Sequence, residues 1–203
     1  MMQQQWLSFL QNCGAKTHDQ QVVDFGDPAA ELDATMHGNC LYGLNALGLI
    51  RVSGEDASVF LQNQLSNDIK DVTADKTQLS AYCSAKGRVL SLFRIIADGD
   101  DYLLQMPQER VSSTLKRMSM YVLMSKVVLS DATNELCTLG ISGLSALPAL
   151  NSIADISTLG IHDSIKIDQY IIFRSPGATP RFTLISSADS LQSFWQNHQS
   201  EFR

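Results

Sequence analysis

The chain has 203 residues, of which 44% are hydrophobic and 18% charged, with a formal net charge of −6. That length and balance fit a soluble globular protein with one large or two small cored domains, and they exclude a disordered chain. The acidic excess argues against direct nucleic-acid binding and against an anionic membrane surface, since both recruit clustered Lys and Arg.

The first predicted element is a short amphipathic helix beginning around Trp6 to Leu10. A polar stretch with Gly and Asp follows to about Asn39 and reads mostly as loop, with an apolar pulse at Val22, Val23 and Phe25. From residue 47 the pattern sharpens. Residues 47–53 alternate as a strand does. Ser53 then reads as the cap of a helix, with Asp56 three residues on and an apolar stripe at Ala57, Phe60, Leu61 and Leu65. Asn67-Asp68 breaks that pattern.

Residues 78–83 and 88–97 read as strands joined by the tight connection Ser84-Ala85-Lys86-Gly87. Asp98-Gly99-Asp100-Asp101 reads as a hairpin turn, because Gly tolerates the positive φ such turns demand. Residues 102–106 form the returning strand, and Pro107 opens a helix that runs to about Met120. Residues 125–129 are a last strand. Strand, helix, three strands, helix and strand, with short links between the middle strands, predict an α+β ferredoxin-like antiparallel sheet with two helices on one face. The extra strand is an elaboration.

A second α+β unit follows. It has a strand at 136–142, a helical turn at 143–150 that Pro148 ends or kinks, and little periodicity over 151–168. Strands at 170–174 and 181–186 precede a helix at 188–198 capped by Ser187. This unit reads as incomplete, ending on a helix without a closing strand.

No run supplies the ~18 apolar residues of a membrane span. The Gln-rich start lacks a basic segment and a cleavage site, so a cytoplasmic protein is expected. Cys13, Cys40, Cys83 and Cys137 form no Cys-x-x-Cys pair and have no His at ligand spacing; they read as free thiols in a reducing compartment. His18, His37, His162 and His198 are scattered, so no metal site is assigned. No Gly-x-Ser-x-Gly elbow, Walker loop or Gly-x-Gly-x-x-Gly occurs, and no catalytic residue is assigned.

Three segments in order carry a family resemblance: Gly-Leu-Asn-Ala-Leu-Gly-Leu-Ile-Arg-Val-Ser-Gly-Glu-Asp-Ala (43–57), Phe-Leu-Gln-Asn-Gln-Leu-Ser-Asn-Asp-Ile (60–69) and Tyr-Cys-Ser-Ala-Lys-Gly-Arg-Val-Leu (82–90). Together they resemble the opening of a YgfZ-type folate-binding protein, a relative of the glycine-cleavage T-protein. The resemblance implies a ferredoxin-like domain over 46–134 and a discontinuous α+β domain from 1–45 and 135–203. It also implies a C-terminal β-barrel and a Lys-Gly-Cys-Tyr-x-Gly-Gln-Glu signature, neither of which this chain contains, so a chain short of the family's full length is expected. Lys86-Gly87-Arg88 is an earlier family segment, not that signature.

The function implied is that of a monomeric tetrahydrofolate-binding accessory protein acting on iron–sulfur client proteins in cluster assembly or repair and, through client enzymes, in tRNA modification. A folate-dependent aminomethyl transferase and a non-catalytic fragment without ligand are the alternatives. A pterin site needs an apolar slot with a few placed polar groups. Leu47, beside Gly48, matches the T-protein segment that lines the folate channel, against a plain core role. Gln64 and Asn67 would supply polar edges, against a helix-ending role for Asn67. Lys86 or Arg88 would pair with the folate glutamate tail, against a solvated turn. Arg94 sits in an apolar strand and needs a partner, an anionic ligand or a solvent face. Ser91 and Leu92 stand where T-proteins carry an acidic pair. Neither titrates near neutrality, so the acid–base group of aminomethyl transfer is lacking there.

Overall fold

The structure is a computed structural model and describes residues 2–202. Its helices and strands, in chain order, begin with α1 (Met2–Asn12), β1 (Lys16–His18), β2 (Gln21–Asp24), α2 (Pro28–His37) and β3 (Cys40–Gly43). Next come β4 (Leu47–Ser53), α3 (Ala57–Gln64), β5 (Gln78–Cys83), β6 (Val89–Asp98), β7 (Asp101–Pro107), α4 (Gln108–Ser119) and β8 (Val128–Asp131). The rest are β9 (Cys137–Ser142), α5 (Ala146–Leu150), β10 (Ser164–Ile167), β11 (Tyr170–Arg174), β12 (Arg181–Ser186) and α6 (Ala188–His198). The chain divides into two compact units, Leu47–Thr133 and the residues on either side of it. Every pairing among the described strands is antiparallel. The architecture is α+β, and none of the three sheets among the described residues closes into a barrel.

In the Leu47–Thr133 unit the sheet order is β5-β6-β7-β4-β8. Without β5 this is the ferredoxin-like arrangement expected from the sequence, and β5 extends the edge beside β6. Strand alternation gives the sheet two faces. Ile50, Val52, Phe93, Ile95, Leu104 and Met106 face the helices and pack with Phe60, Leu61, Val111 and Met118. Each such side chain contributes roughly 1.5–3 kcal/mol on burial. Gly48 lets α4 lie close: a Cβ there would stand 2.7 Å from Val111 and 2.8 Å from the Thr133 hydroxyl oxygen. The β6–β7 turn forms as expected, with Asp98 opposite Asp101 and Gly99 at φ +69.

Ser53 is not the helix cap. It ends β4, Gly54 turns the chain at φ +109, and Asp56 precedes the first residue of α3. The Asp56 carboxylate accepts instead from the backbone N–H of Lys126, 2.8 Å away. The last strand also starts later than expected, at Val128, because Lys126 is engaged in that contact.

The flanking unit builds the sheet β10-β11-β12-β9-β3. The closing strand comes from the N-terminal segment: β3 pairs with β9, Cys40 opposite Ser142. Trp6 and Leu10 of α1, Leu139 and Ile141 of β9, Phe182 of β12 and Leu191 of α6 share one core. Ser187 caps α6, its hydroxyl accepting from the Ser190 N–H at 3.2 Å.

Three expectations for this unit are corrected. The polar stretch to Asn39 is not mostly loop: it contains a hairpin and α2. The helix starts because the Asp27 side chain accepts from the Ala30 N–H, Pro28 fits the first turn, and Glu31 reaches back to the Asp27 N–H. Residues 151–168 hold β10, fixed by a two-residue turn in which Asp168 takes φ +49. Pro148 does not break α5, because it lies in the first turn, where a missing N–H costs nothing.

All four cysteines are free thiols, with Cys40 and Cys137 buried. Burial pushes the Cys137 thiol up to about 12 from an ordinary 9.0. Its folded-state pKa is raised, so its contribution to stability is complete below pH 9.0 and falls away as pH climbs toward about 12. Iodoacetamide at pH 8 is expected to leave Cys137 unmodified in the native protein and to modify it in urea. Native-state labelling at a rate matching the unfolded chain would contradict this.

Candidate functional site

β6 is the strand on which the predicted site turns, and its two faces differ. Ser91, Phe93 and Ile95 point to the helix side. Leu92 and Arg94 point to the other. The register then aligns four side chains across that other face: Leu79 of β5 opposite Arg94, Arg94 opposite Gln105 of β7, and Gln105 opposite Leu49 of β4. Neighbouring strands lie ~4.8 Å apart. The row therefore reads apolar, cation, amide, apolar.

Arg94 and Gln105 are both buried. Burial holds the Arg94 guanidinium below its ordinary pKa, and Nη1 donates to the Thr77 hydroxyl at 2.8 Å. The Gln105 amide nitrogen is buried with no hydrogen-bond partner among the described residues. Such an orphaned donor costs about 1–3 kcal/mol unless something accepts from it. Further along the same face, Arg51 is neutralised by Asp98 at 2.6 Å and Asp101 at 3.3 Å.

Beside Arg94 the face carries a shallow hollow of about 240 Å³, lined by Asn67, Leu79, Ala81 and Leu92 among others. Leu79 is 56% exposed and Leu92 65% exposed, so two large apolar side chains are left uncovered next to a buried cation.

The structure brings some of the predicted residues together and separates others. Arg94 and Asn67 lie at or beside the hollow. Asn67 is exposed, and its side-chain oxygen accepts from the Ser66 hydroxyl at 2.7 Å. Gln64, half-buried, ends α3. Leu65 and Ser66, which follow it, bond along the outer edge of β5. Leu47 begins β4 opposite Pro107, half-buried and on the same face as Leu49, but it does not line the hollow. Lys86 and Arg88 are exposed on the β5–β6 turn, at the same end of the sheet as Leu47. That turn is held by the Ser84 N–H donating to the Arg88 carbonyl, with Gly87 at φ +73. Ser91 stands apart. It faces α4, and its hydroxyl lies 2.6 Å from that of Thr114.

Two polar residues escaped sequence reading. One is Gln105, in a run of otherwise apolar strand residues. The other is Asn45, buried with both side-chain polar atoms unpartnered among the described residues. A lone amide inside an apolar strand was the available signal for Gln105. Among the described residues no group of three or more His, Cys, Asp or Glu could hold a metal ion, and no helix is long and apolar enough to cross a membrane.

Comparison with known proteins places this geometry. The GCVT N-terminal domain family matches residues 12–163. The tRNA-modifying protein YgfZ of Colwellia psychrerythraea is 28% identical over 145 residues, covering 71% of this chain and 44% of that protein. The YgfZ of Escherichia coli is 31% identical over 113 residues, covering 56% of this chain and 34% of that one. The chain thus spans about half the length, or less, of these curated relatives. Among solved structures, the glycine cleavage system aminomethyltransferase T of Bartonella henselae superposes with a TM-score of 0.79 at 15% identity, covering 93% of this chain and 54% of that one. A heterotetrameric sarcosine oxidase chain from Corynebacterium gives 0.61 at 15% identity, covering 86% and 94%. At that identity the two structures speak for the fold alone.

Proposed function

The chain belongs to the GCVT N-terminal domain family, and from this we propose that it binds tetrahydrofolate on the β5–β6–β7 face. In this reading it serves as an accessory protein to iron–sulfur client enzymes and, through them, to tRNA modification. The observation that carries the binding reading is the buried Gln105 amide nitrogen, unpartnered on one side of Arg94, with an apolar hollow on the other side of Arg94. These residues fit a reduced folate. Leu79 and Leu92 offer an apolar floor to a flat ring, and Gln105 offers a donor to a ring carbonyl or nitrogen. Arg94 offers a charged fork to the same polar edge.

Leu47, Gln64 and Asn67 are the proposed rim contacts. Lys86 and Arg88, on their exposed turn, are the proposed partners of the glutamate tail. Ser91 is proposed to act from the other face, by holding β6 against α4 through Thr114. Bound tetrahydrofolate would supply a carrier for one-carbon units. Leu92 is the β6 side chain that faces the hollow, and it cannot exchange a proton. This favours binding over aminomethyl transfer. The name carried by the YgfZ relatives supports the link to tRNA modification.

Calorimetric titration with tetrahydrofolate tests the reading. Arg94→Met keeps the volume and removes the charge, and is expected to weaken binding at least about tenfold, or ~1.4 kcal/mol. No heat with the folded chain would sink the proposal. Tetrahydrofolate-dependent turnover of glycine or sarcosine would move it to the transferase class.

A further inference from the structure

A second cavity in the Leu47–Thr133 unit, of about 320 Å³, lies on the helix side of β6, the side opposite Arg94. α4 shapes one wall. Arg110, Ser113, Thr114 and Arg117 recur at i, i+3, i+4 and i+7 and form one stripe of that helix. Arg110, Lys116 and Arg117 all line the cavity. None of the three is ion-paired among the described residues, whereas Arg51 pairs with Asp98 and Asp101, and Lys126 with Glu55.

The helix dipole accounts for two of these cations but not the third. Lys116 and Arg117 sit in the last turn of α4, where positive charge is favoured. Arg110 sits in the first turn, where it is disfavoured. It is held there by a bond from Nη2 to the Leu90 carbonyl at 2.7 Å. Leu90 is the extra residue at the β5–β6 bulge, where Tyr82 pairs with Ser91 and Cys83 with Val89. Arg117 lies close enough to the Tyr82 hydroxyl for its charge to work against the burial that raises the Tyr82 pKa. Two guanidinium groups of one helix stripe thus face one cavity, with Arg110 fixed by the Leu90 carbonyl.

We propose that this cavity binds a small organic phosphate. A phosphate monoester presents three terminal oxygens and close to two charges, which suits two guanidinium forks and an ammonium. The Ser91–Thr114 pair, whose oxygens lie 2.6 Å apart, keeps one hydroxyl proton to donate on this wall, while the Ser113 hydroxyl donates to the Arg110 carbonyl at 3.0 Å. Tyr82, Leu90 and Met120 give an apolar surface for the organic part. A monocarboxylate would leave much of this charge unmatched. The site does not depend on the folate reading, since its residues lie on the other face of β6.

Phenyl phosphate is the probe, titrated into the whole chain by calorimetry and by amide NMR. Binding below millimolar is expected, with shifts confined to α4 and residues 82–91, and benzoate is expected to bind at least several-fold more weakly. Arg110→Gln and Arg117→Gln should each weaken phenyl phosphate about tenfold or more. Lys70→Gln with Lys76→Gln, two exposed cations outside the cavity, should leave it unchanged. The proposal fails if phenyl phosphate gives neither heat nor shifts at several millimolar with a natively folded sample. It fails equally if the Lys70/Lys76 variant loses as much affinity as the arginine variants, which would mark a diffuse charge effect. Displacement of phenyl phosphate by tetrahydrofolate would also overturn it as a separate site.

Discussion

Replacing Gly54 by alanine is expected to destabilise the Leu47–Thr133 unit by about 3–5 kcal/mol, a large part of the ~5–15 kcal/mol that holds a typical domain folded. Two independent costs add. Gly54 has φ +109, which L-residues rarely adopt. An added Cβ would also stand 2.2 Å from the Lys126 carbonyl oxygen and 3.2 Å from the Val127 Cα, and backbone cannot step aside as a flexible side chain can. Relief requires moving the approach to β8, which breaks the bond from the Lys126 N–H to Asp56. Both tryptophans, Trp6 and Trp195, lie outside this unit, so far-UV circular dichroism in urea is the suitable probe. A midpoint unchanged from the parent would contradict the geometry.

Trp6→Ala is expected to cost the flanking unit about 3–5 kcal/mol, the range for emptying a buried aromatic site. Trp6 is fully buried; it stacks on Phe9 with centroids 5.5 Å apart and meets Trp195 edge-on at 6.1 Å. Trp195 in turn stacks on Phe25 at 5.7 Å, so one deletion loosens the seam between α1, α6 and the segment after β2. Area burial and ring geometry both contribute, the latter roughly 0.5–1.5 kcal/mol per pair. The Trp6 indole nitrogen is buried without a partner among the described residues, so Trp6→Phe should cost clearly less than Trp6→Ala. Either variant leaves Trp195 as the single tryptophan, and its emission reports unfolding directly. Equal losses for alanine and phenylalanine would refute the packing account.

Between residues 47 and 131 the sequence was largely legible, because the signals there are local. Alternation at 47–53 and 78–83, Gly99 in its hairpin and the apolar stripe of α3 each act within a few residues. Gly54, inside one of the segments that carried the family resemblance, is a position where backbone geometry demands glycine. The weaker readings also have local causes. α2 carries a real start signal in Asp27-Pro28 with Glu31, but only Ala34 of that helix is buried, so its apolar period is faint. β10 is four residues long and depends on its partner β11.

What the chain alone fixed, then, was its local vocabulary: strand, helix and turn, the likeness to a folate-binding family, and the parity that sets Ser91 and Arg94 on opposite sides of β6. Tertiary structure decided which of those sides α4 would cover, that β3 would reach across to β9, and that Gln105 would come to rest beside Arg94 with its amide unanswered. The reason is physical. Alternation and capping are short-range preferences, whereas strand order and the meeting of side chains across a sheet come from burying a shared apolar surface between segments far apart in the chain.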